Sequence, residues 1–185
     1  FKGTARPGEY YVFQIGVYTD ASPLKNIQVS LSSLSNGRGQ SIKDVTCFNS
    51  GGISFKGEKF TKPLQLGAKN VLPLWFGVQI PEDYKGEYKG QVEIKPEGLS
   101  ATTVQVNLNV KGTIIANHGY NDETKLSRLA WLNTKVALDN GITNGFKQVA
   151  REQKYISILG RTIELSDEGL PVDIQTYFDK NNELH

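Results

Sequence analysis

Histidine, the side chain most often used for acid–base catalysis and metal binding, occurs only twice in this sequence of 185 residues, as His118 and His185. His118 lies in a polar segment with Asp122 and Glu123, so these three side chains are the only candidates for a metal cluster. Zinc sites combine several His or Cys ligands, whereas here one histidine stands with two carboxylates. We therefore interpret the segment as a solvated linker between domains and predict neither a metal nor a cofactor.

Nucleophilic and acid–base catalysis also find no clear candidates. A catalytic serine or cysteine needs a base and an oxyanion site; no Gly-x-Ser-x-Gly motif occurs, and the single Cys47 lies in an apolar segment, where cysteine is usually a small buried hydrophobe. The Gly37-Arg38-Gly39 segment lacks the third glycine of a dinucleotide fingerprint. The acidic pairs Glu82–Asp83 and Asp167–Glu168 occur in turns, where carboxylates are solvated and lack the burial that raises the pKa of a general acid. The sequence predicts no catalytic residue.

Aromatic residues make up 10% of the chain and suggest sugar binding, because exposed rings stack on the apolar faces of sugars. Tyr84 and Tyr88 flank the turn at Gly86 and could form a surface platform. In the alternative interpretation, one of the two tyrosines closes the hydrophobic core. Trp75 lies in a fully apolar run and is expected to be a core residue.

The net charge argues against binding of nucleic acid, and the hydropathy argues against a membrane-spanning segment. Lys and Arg number 21 and Asp and Glu number 19, which gives a net charge of +2, too balanced for a nucleic-acid-binding surface. No run of about 18 apolar residues exists, so we predict no membrane-spanning segment.

The elements that would position these residues are mostly strands. Apolar and polar residues alternate with a period of two, which is typical of strands with one buried face. About seven short strands separated by turns indicate an antiparallel β-sandwich of the immunoglobulin-like kind over residues 1–112. The clearest strand segments are Glu9–Tyr18, Ile27–Ser32, Ile42–Phe48, Val71–Ile80, Tyr88–Ile94 and Thr102–Val110.

Residues 113–185 are predicted to form a smaller β-rich segment with one short helix. Leu126, Leu129 and Leu132 recur at three-residue spacing, which favours one or two helical turns over residues 122–132. The later turns include Asp139-Asn140-Gly141 and Asn144-Gly145, and three short strands follow. A core of about 70 residues is marginal, so this segment either packs on the sandwich or begins a second sheet domain.

Two segments carry a resemblance to known proteins. Leu72–Val92 resembles the apolar strand, Ile-Pro and Gly-x-Tyr-x-Gly stretch of sandwich modules that precede glycosidase barrels in bacterial polysaccharide-degrading enzymes. Ser127–Thr134, followed by Asp139, Leu159-Gly160-Arg161 and Gly169-Leu170-Pro171, is similar to the N-terminal region of proteins related to glycoside hydrolase family 123, the β-N-acetylgalactosaminidase family.

This resemblance implies a division of labour. In that family, acidic residues of a following (β/α)8-type domain perform the acid–base chemistry, and the acetamido group of the substrate is the nucleophile. Such a barrel takes about 250 residues. The resemblance therefore implies that this chain, inactive alone, is the N-terminal accessory region of a secreted or periplasmic bacterial glycoside hydrolase acting on N-acetylhexosamine-containing glycans. Its partner would be the downstream catalytic domain, which it positions and stabilises.

Two alternatives remain open at this point. The chain could instead be a protein-interaction or adhesion module that works through an exposed sheet edge, or it could be a carbohydrate-binding module or a surface glycan-binding protein. Arg128 and Trp131 would then join Tyr84 and Tyr88 as sugar contacts. In the structural interpretation, a short helix buries Trp131 against a sheet and Asn133 ends that helix.

Overall fold

The computed structural model describes residues 1–139 and 141–180, so Asn140 of the predicted turn and His185 at the end of the chain lie outside the described residues. The chain divides into two compact units, Phe1–Leu138 and Asp139–His185. Strands account for 46% of the chain and helices for 7%, which confirms the mostly β fold class. The domain boundary at residue 112 and the immunoglobulin-like class stay predictions.

The first unit contains eleven described strands in three sheets. Their bounds are β1 Lys2–Ala5, β2 Tyr10–Thr19, β3 Gln28–Leu31, β4 Leu34–Ser35, β5 Ser41–Ile42, β6 Val45–Cys47, β7 Gly51–Ile53, β8 Lys59–Thr61, β9 Asn70–Gln79, β10 Gly86–Lys95 and β11 Thr102–Val110. The largest sheet has the order β1-β11-β10-β4-β5, and β3 also pairs with β10. A second sheet has the order β2-β9-β6, and β7 pairs with β8 as a hairpin.

Alternation along the long strands fills one core between the two larger sheets. Phe13 and Phe76 come from one sheet and Val106 and Leu108 from the other, and all four belong to the same cluster of buried side chains. Two sheets whose inner faces share a core form a sandwich. Most strand pairs are antiparallel, but β1 pairs with β11 in parallel, with Lys2 opposite Asn107.

The segment after β11 contains three 3₁₀ helices, Ala116–Gly119, Ser127–Asn133 and Val136–Leu138. The helix predicted over residues 122–132 therefore begins at Ser127. The Asp122 carboxylate accepts hydrogen bonds from the backbone N–H of Thr124 at 3.0 Å and from its hydroxyl at 2.6 Å. Such a bond to the backbone two residues ahead stabilises a turn in place of helix.

The second unit is a four-stranded antiparallel sheet in the order β12 Ala150–Glu152, β13 Tyr155–Ile158, β14 Arg161–Leu165 and β15 Pro171–Thr176. Its register aligns Ile156 with Ile163, and Ile163 with Ile174. These isoleucines form one apolar face, because residues opposite each other in a ladder point to the same side of a sheet. Every residue of this unit that the structure describes remains at least partly exposed.

Candidate functional site

The segment after β11 folds back over the turn that joins β1 to β2. Arg6 in this turn donates from Nε to the Thr113 carbonyl at 3.0 Å and from Nη2 to the Thr113 hydroxyl at 2.7 Å. The Ile115 backbone N–H donates to the Pro7 carbonyl at 3.0 Å. These contacts place the residues that follow at the end of the sandwich.

A buried ion pair fixes this arrangement. Glu9 is 2% exposed, and its Oε1 accepts a hydrogen bond from Lys125 Nζ at 2.7 Å. Its other oxygen accepts from the Arg6 backbone N–H, also at 2.7 Å. A carboxylate out of water needs such partners, so Glu9 clamps the segment around Lys125 to the sandwich.

His118 lies beside this clamp, in a strained backbone. Asn117 and His118 have φ values of 48° and 54°, the left-handed region that non-glycine residues seldom occupy. His118 Nδ1 lies 2.8 Å from the Gly8 carbonyl oxygen and 3.3 Å from Gln79 Nε2; a carbonyl oxygen only accepts, so the shorter contact is a hydrogen bond in the tautomer that carries its proton on Nδ1. In the neutral ring, Nε2 is then the acceptor.

The structure does not arrange His118, Asp122 and Glu123 as metal ligands. Hydrogen bonds from Thr124 hold the Asp122 carboxylate and lower its pKa below the ordinary value. No group of three or more His, Cys, Asp or Glu side chains able to hold a metal ion occurs within residues 1–139 and 141–180.

An exposed aromatic cluster with a guanidinium lies on the same segment. Trp131 is 51% exposed, and its ring meets that of Tyr120 edge-on at 5.5 Å between centroids. The Arg128 guanidinium lies 5.5 Å from the Trp131 ring centroid, and Arg128 Nε donates to the Tyr120 carbonyl at 2.6 Å. The 3₁₀ helix Ser127–Asn133 thus brings Arg128 and Trp131 together and leaves the indole accessible.

Tyr84 and Tyr88 form a separate pair. Their rings stack at 5.4 Å with an interplanar angle of 4°. Tyr88 is 0% exposed, its hydroxyl donates to Gln40 Oε1 at 2.9 Å, and burial raises its pKa. Tyr88 therefore has no side-chain surface for stacking on a sugar, whereas Tyr84 is half-buried.

The other chemical candidates are dispersed. Both members of the Glu82–Asp83 pair and of the Asp167–Glu168 pair are exposed. A hydrogen bond from Ser166 lowers the pKa of Glu168, which is the opposite of what a general acid requires. Cys47 is half-buried and packs against the core.

Two features of this region were not predicted from the sequence. One is Glu9, whose only signal is its place between the Pro7-Gly8 turn and an apolar strand. The other is an apolar depression of about 230 Å³, which Leu126, Leu129 and Leu132 line together with Phe48, Asn49 and Trp75. Leu126 and Leu132 remain 53% and 62% exposed, so the leucine spacing marks a surface of the unit.

Comparisons with known proteins add the following. No protein-family model matches the chain, and no curated protein matches it. Among solved structures it is similar to a family 123 glycoside hydrolase from Clostridium perfringens, studied for the hydrolysis of glycolipid glycans, with 20% identity and a TM-score of 0.48. The match covers 62% of this chain and 23% of that enzyme. Within the described part of the chain, no helix is long and apolar enough to cross a membrane.

Proposed function

We propose that this chain is a non-catalytic accessory region of a secreted or periplasmic bacterial glycoside hydrolase that acts on N-acetylhexosamine-containing glycans. In this proposal it positions and stabilises a catalytic domain. The resemblance of Leu72–Val92 and Ser127–Thr134 to such enzymes supports the proposal, and the second segment contains the exposed Trp131 and Leu132.

The observation that carries the proposal is this anchored apolar surface. The Glu9–Lys125 ion pair holds the segment to the sandwich, while Trp131, Leu132 and Val136 are 51%, 62% and 77% exposed. Leu132 also shares an apolar depression with Leu126 and Leu129, and exposed apolar side chains gathered in this way are typical of surfaces that pack against another domain. Fixing such a surface on a sandwich gives the catalytic domain a defined orientation.

The first test is an assay of the purified chain on aryl N-acetylhexosaminides, for which we expect no turnover. Hydrolysis that persists through purification and copurifies with the chain would overturn the non-catalytic assignment. In a chain that also carries the catalytic domain, Leu132→Ser together with Val136→Ser should lower the thermal stability of that domain. The matched control is Leu99→Ser, at a residue 55% exposed elsewhere in this unit, which should leave the stability of the catalytic domain unchanged.

The exposed Trp131 beside Arg128 favours carbohydrate binding as a second candidate function. An indole offers a flat apolar face, and a guanidinium donates several hydrogen bonds in one plane, so together they suit a sugar ring with its hydroxyl groups. Titration with N-acetylgalactosamine oligosaccharides should then quench tryptophan emission in the native chain and leave a Trp131→Ala variant unaffected. Tyr84→Ala tests whether the half-buried Tyr84 contributes to oligosaccharide affinity in the same titration. No Tyr88 variant is needed, because the Tyr88 side chain is buried.

A further inference from the structure

A cavity of about 690 Å³ opens on the outer face of the largest sheet. It lies where the first residues of β10 meet the turn that joins β4 to β5. Tyr88 of β10 points into the core. Because successive residues of a strand face opposite sides of a sheet, Glu87 and Lys89 point away from the core. The polar and charged side chains around the cavity are those of Ser35, Asn36, Arg38, Lys85, Glu87 and Lys89.

The cavity concentrates positive charge. Arg38, Lys85 and Lys89 line it, and among the described residues around it Glu87 supplies the one carboxylate. The Glu87 carboxylate lies 3.7 Å from Lys89 Nζ, whereas Arg38 and Lys85 make no ion pair with any carboxylate that the structure describes. A cleft lined mostly by charge of one sign attracts ligands of the opposite sign.

The turn that carries Arg38 is held to the core by a chain of hydrogen bonds. Asn36 Oδ1 accepts from the backbone N–H of Arg38 at 2.8 Å and from that of Gln40 at 3.2 Å. Asn36 Nδ2 donates to Gln40 Oε1 at 2.8 Å, and the hydroxyl of the buried Tyr88 donates to the same oxygen at 2.9 Å. The backbone at Arg38 is therefore fixed before a ligand arrives, which reduces the entropy lost on binding.

The lining of the cavity narrows the class of ligand. Apart from glycine, none of the described residues around it is aromatic or apolar. A nucleobase, which stacks on aromatic rings, and a peptide with apolar anchors therefore find no match here. A volume of about 690 Å³ suits an organic molecule and exceeds the space that a single sulfate or phosphate ion fills. A hydroxyl-rich ligand that carries anionic groups meets all of these conditions.

From the charge, size and polarity of the cavity we propose that it binds an acidic oligosaccharide, whose sulfate or carboxylate groups contact Arg38, Lys85 and Lys89. Guanidinium and ammonium groups form strong charge-assisted hydrogen bonds with such oxyanions. Glu87 repels the same groups and so limits the affinity. The site shares no residue with the cluster around Trp131 and does not depend on the accessory role proposed above.

NMR titration at about 0.1 M salt tests the proposal through the amide signals of Gly37 and Gly86, which line the cavity. The ligands are the hexasaccharides of chondroitin sulfate, of unsulfated chondroitin and of neutral chitin. Chondroitin sulfate should shift both signals, with an affinity that falls as salt rises because salt screens the attraction. The neutral hexasaccharide should bind at this site at least about tenfold more weakly.

The comparison of ligands decides the outcome. If unsulfated chondroitin binds as tightly as chondroitin sulfate, the carboxylates are the groups recognised, and if it fails to bind, the sulfates are. Equal binding of the neutral hexasaccharide, or absence of shifts with both acidic ones, would overturn the proposal. Equal shifts with inorganic sulfate at the same concentration would show that an ion alone binds and that the oligosaccharide is the wrong ligand.

Paired variants separate the cavity from a general effect of charge. Arg38→Ala together with Lys85→Ala should weaken the binding of chondroitin sulfate at least about tenfold, because two charged hydrogen-bond donors are lost. Lys59→Ala together with Lys62→Ala is the matched control. It removes the same charge from exposed positions of the β7–β8 hairpin and should leave the affinity unchanged. Equal loss of affinity in the two double variants would contradict a site at the cavity.

Glu87→Gln should act in the opposite direction and strengthen the binding of chondroitin sulfate severalfold, because the repelling carboxylate is removed. Its control is Glu93→Gln, which is also exposed on β10 but lies about 20 Å away at about 3.3 Å per residue, beyond the Debye length of about 10 Å. An unchanged affinity in Glu87→Gln would refute the electrostatic basis of the site. Trp131→Ala should leave the Gly37 and Gly86 shifts unchanged, and their loss would assign the binding to the aromatic cluster instead.

Discussion

Replacing Lys125 with alanine should destabilise the first unit by about 2–3 kcal/mol. Removing one member of a buried ion pair typically costs about 3–5 kcal/mol, because the remaining charge is left without its partner. We expect a loss of stability below that typical range for two reasons. The Lys125 side chain is 26% exposed, and Glu9 keeps its hydrogen bond from the Arg6 backbone N–H.

Urea unfolding followed by tryptophan emission suits this measurement. Both tryptophans, Trp75 and Trp131, belong to the first unit, so the signal reports that unit alone. When the same emission is followed during heating, the midpoint of thermal unfolding should fall by about 5–10 °C. Trp131 emission should also shift toward that of a solvated indole, since the clamp that holds its segment is broken.

The matched control is Lys89→Ala, which removes an ion pair with Glu87 whose side chains are 67% and 62% exposed. Exposed pairs contribute little to stability, so this variant should unfold almost as the native chain does. The double variant Glu9→Gln with Lys125→Met should recover part of the lost stability, because no buried charge remains. Equal destabilisation by Lys125→Ala and Lys89→Ala would refute the clamp.

Three further perturbations test other parts of the first unit. Gly51→Ala should lower the free energy of unfolding in urea by about 2 kcal/mol or more. Gly51 has a φ of 157°, and a Cβ added there would clash with the Phe60 carbonyl oxygen. Gly16→Ala is the control and should be nearly neutral, because a Cβ there meets only the Val71 side chain, at 3.7 Å. Tyr88→Phe should cost about 1 kcal/mol through the lost hydrogen bond to Gln40, a value that an unchanged urea midpoint would contradict. Burial raises the pKa of Tyr10 from its ordinary value of 10 to about 12, so about 3 kcal/mol of stability, present below pH 10, should be lost as the pH rises toward 12; Tyr10→Phe should remove that loss from stability curves measured against pH.

The long strands could be predicted from sequence because the alternation of apolar and polar residues indicates which side chains are buried. The segment Thr102–Val110 alternates apolar and polar residues and is β11 with the same bounds. β1 could not be predicted because Lys2–Ala5 shows no alternation of apolar and polar residues. These residues become a strand only by pairing with β11, about 100 residues later in the chain. Tertiary pairing, which local propensity does not contain, decides such short strands.

The candidate site also contains contacts between residues close in sequence, which could be predicted, and contacts between distant residues, which could not. Arg128 and Trp131 are three residues apart, so a single helical turn brings them together and sequence spacing could suggest them as a pair. Glu9 and Lys125 meet across 116 residues, and the place of Glu9 between a turn and an apolar strand does not indicate which side chain pairs with its carboxylate. The role of Tyr88 was open between surface platform and core, and its burial follows from the packing of β10 in the middle of its sheet.

The sheet of the second unit has a practical consequence for anyone who handles this protein. Its isoleucine face, with Ile174 59% exposed, offers a β-branched apolar surface of the kind from which fibrillar and amorphous precipitates nucleate. Arg151 lies opposite Ile156 in the ladder and so places a charge on this face, which is the kind of residue that opposes such nucleation. Aggregation in solution should therefore depend on this sheet as well as on the exposed apolar side chains of the first unit, such as Val136 at 77% exposed.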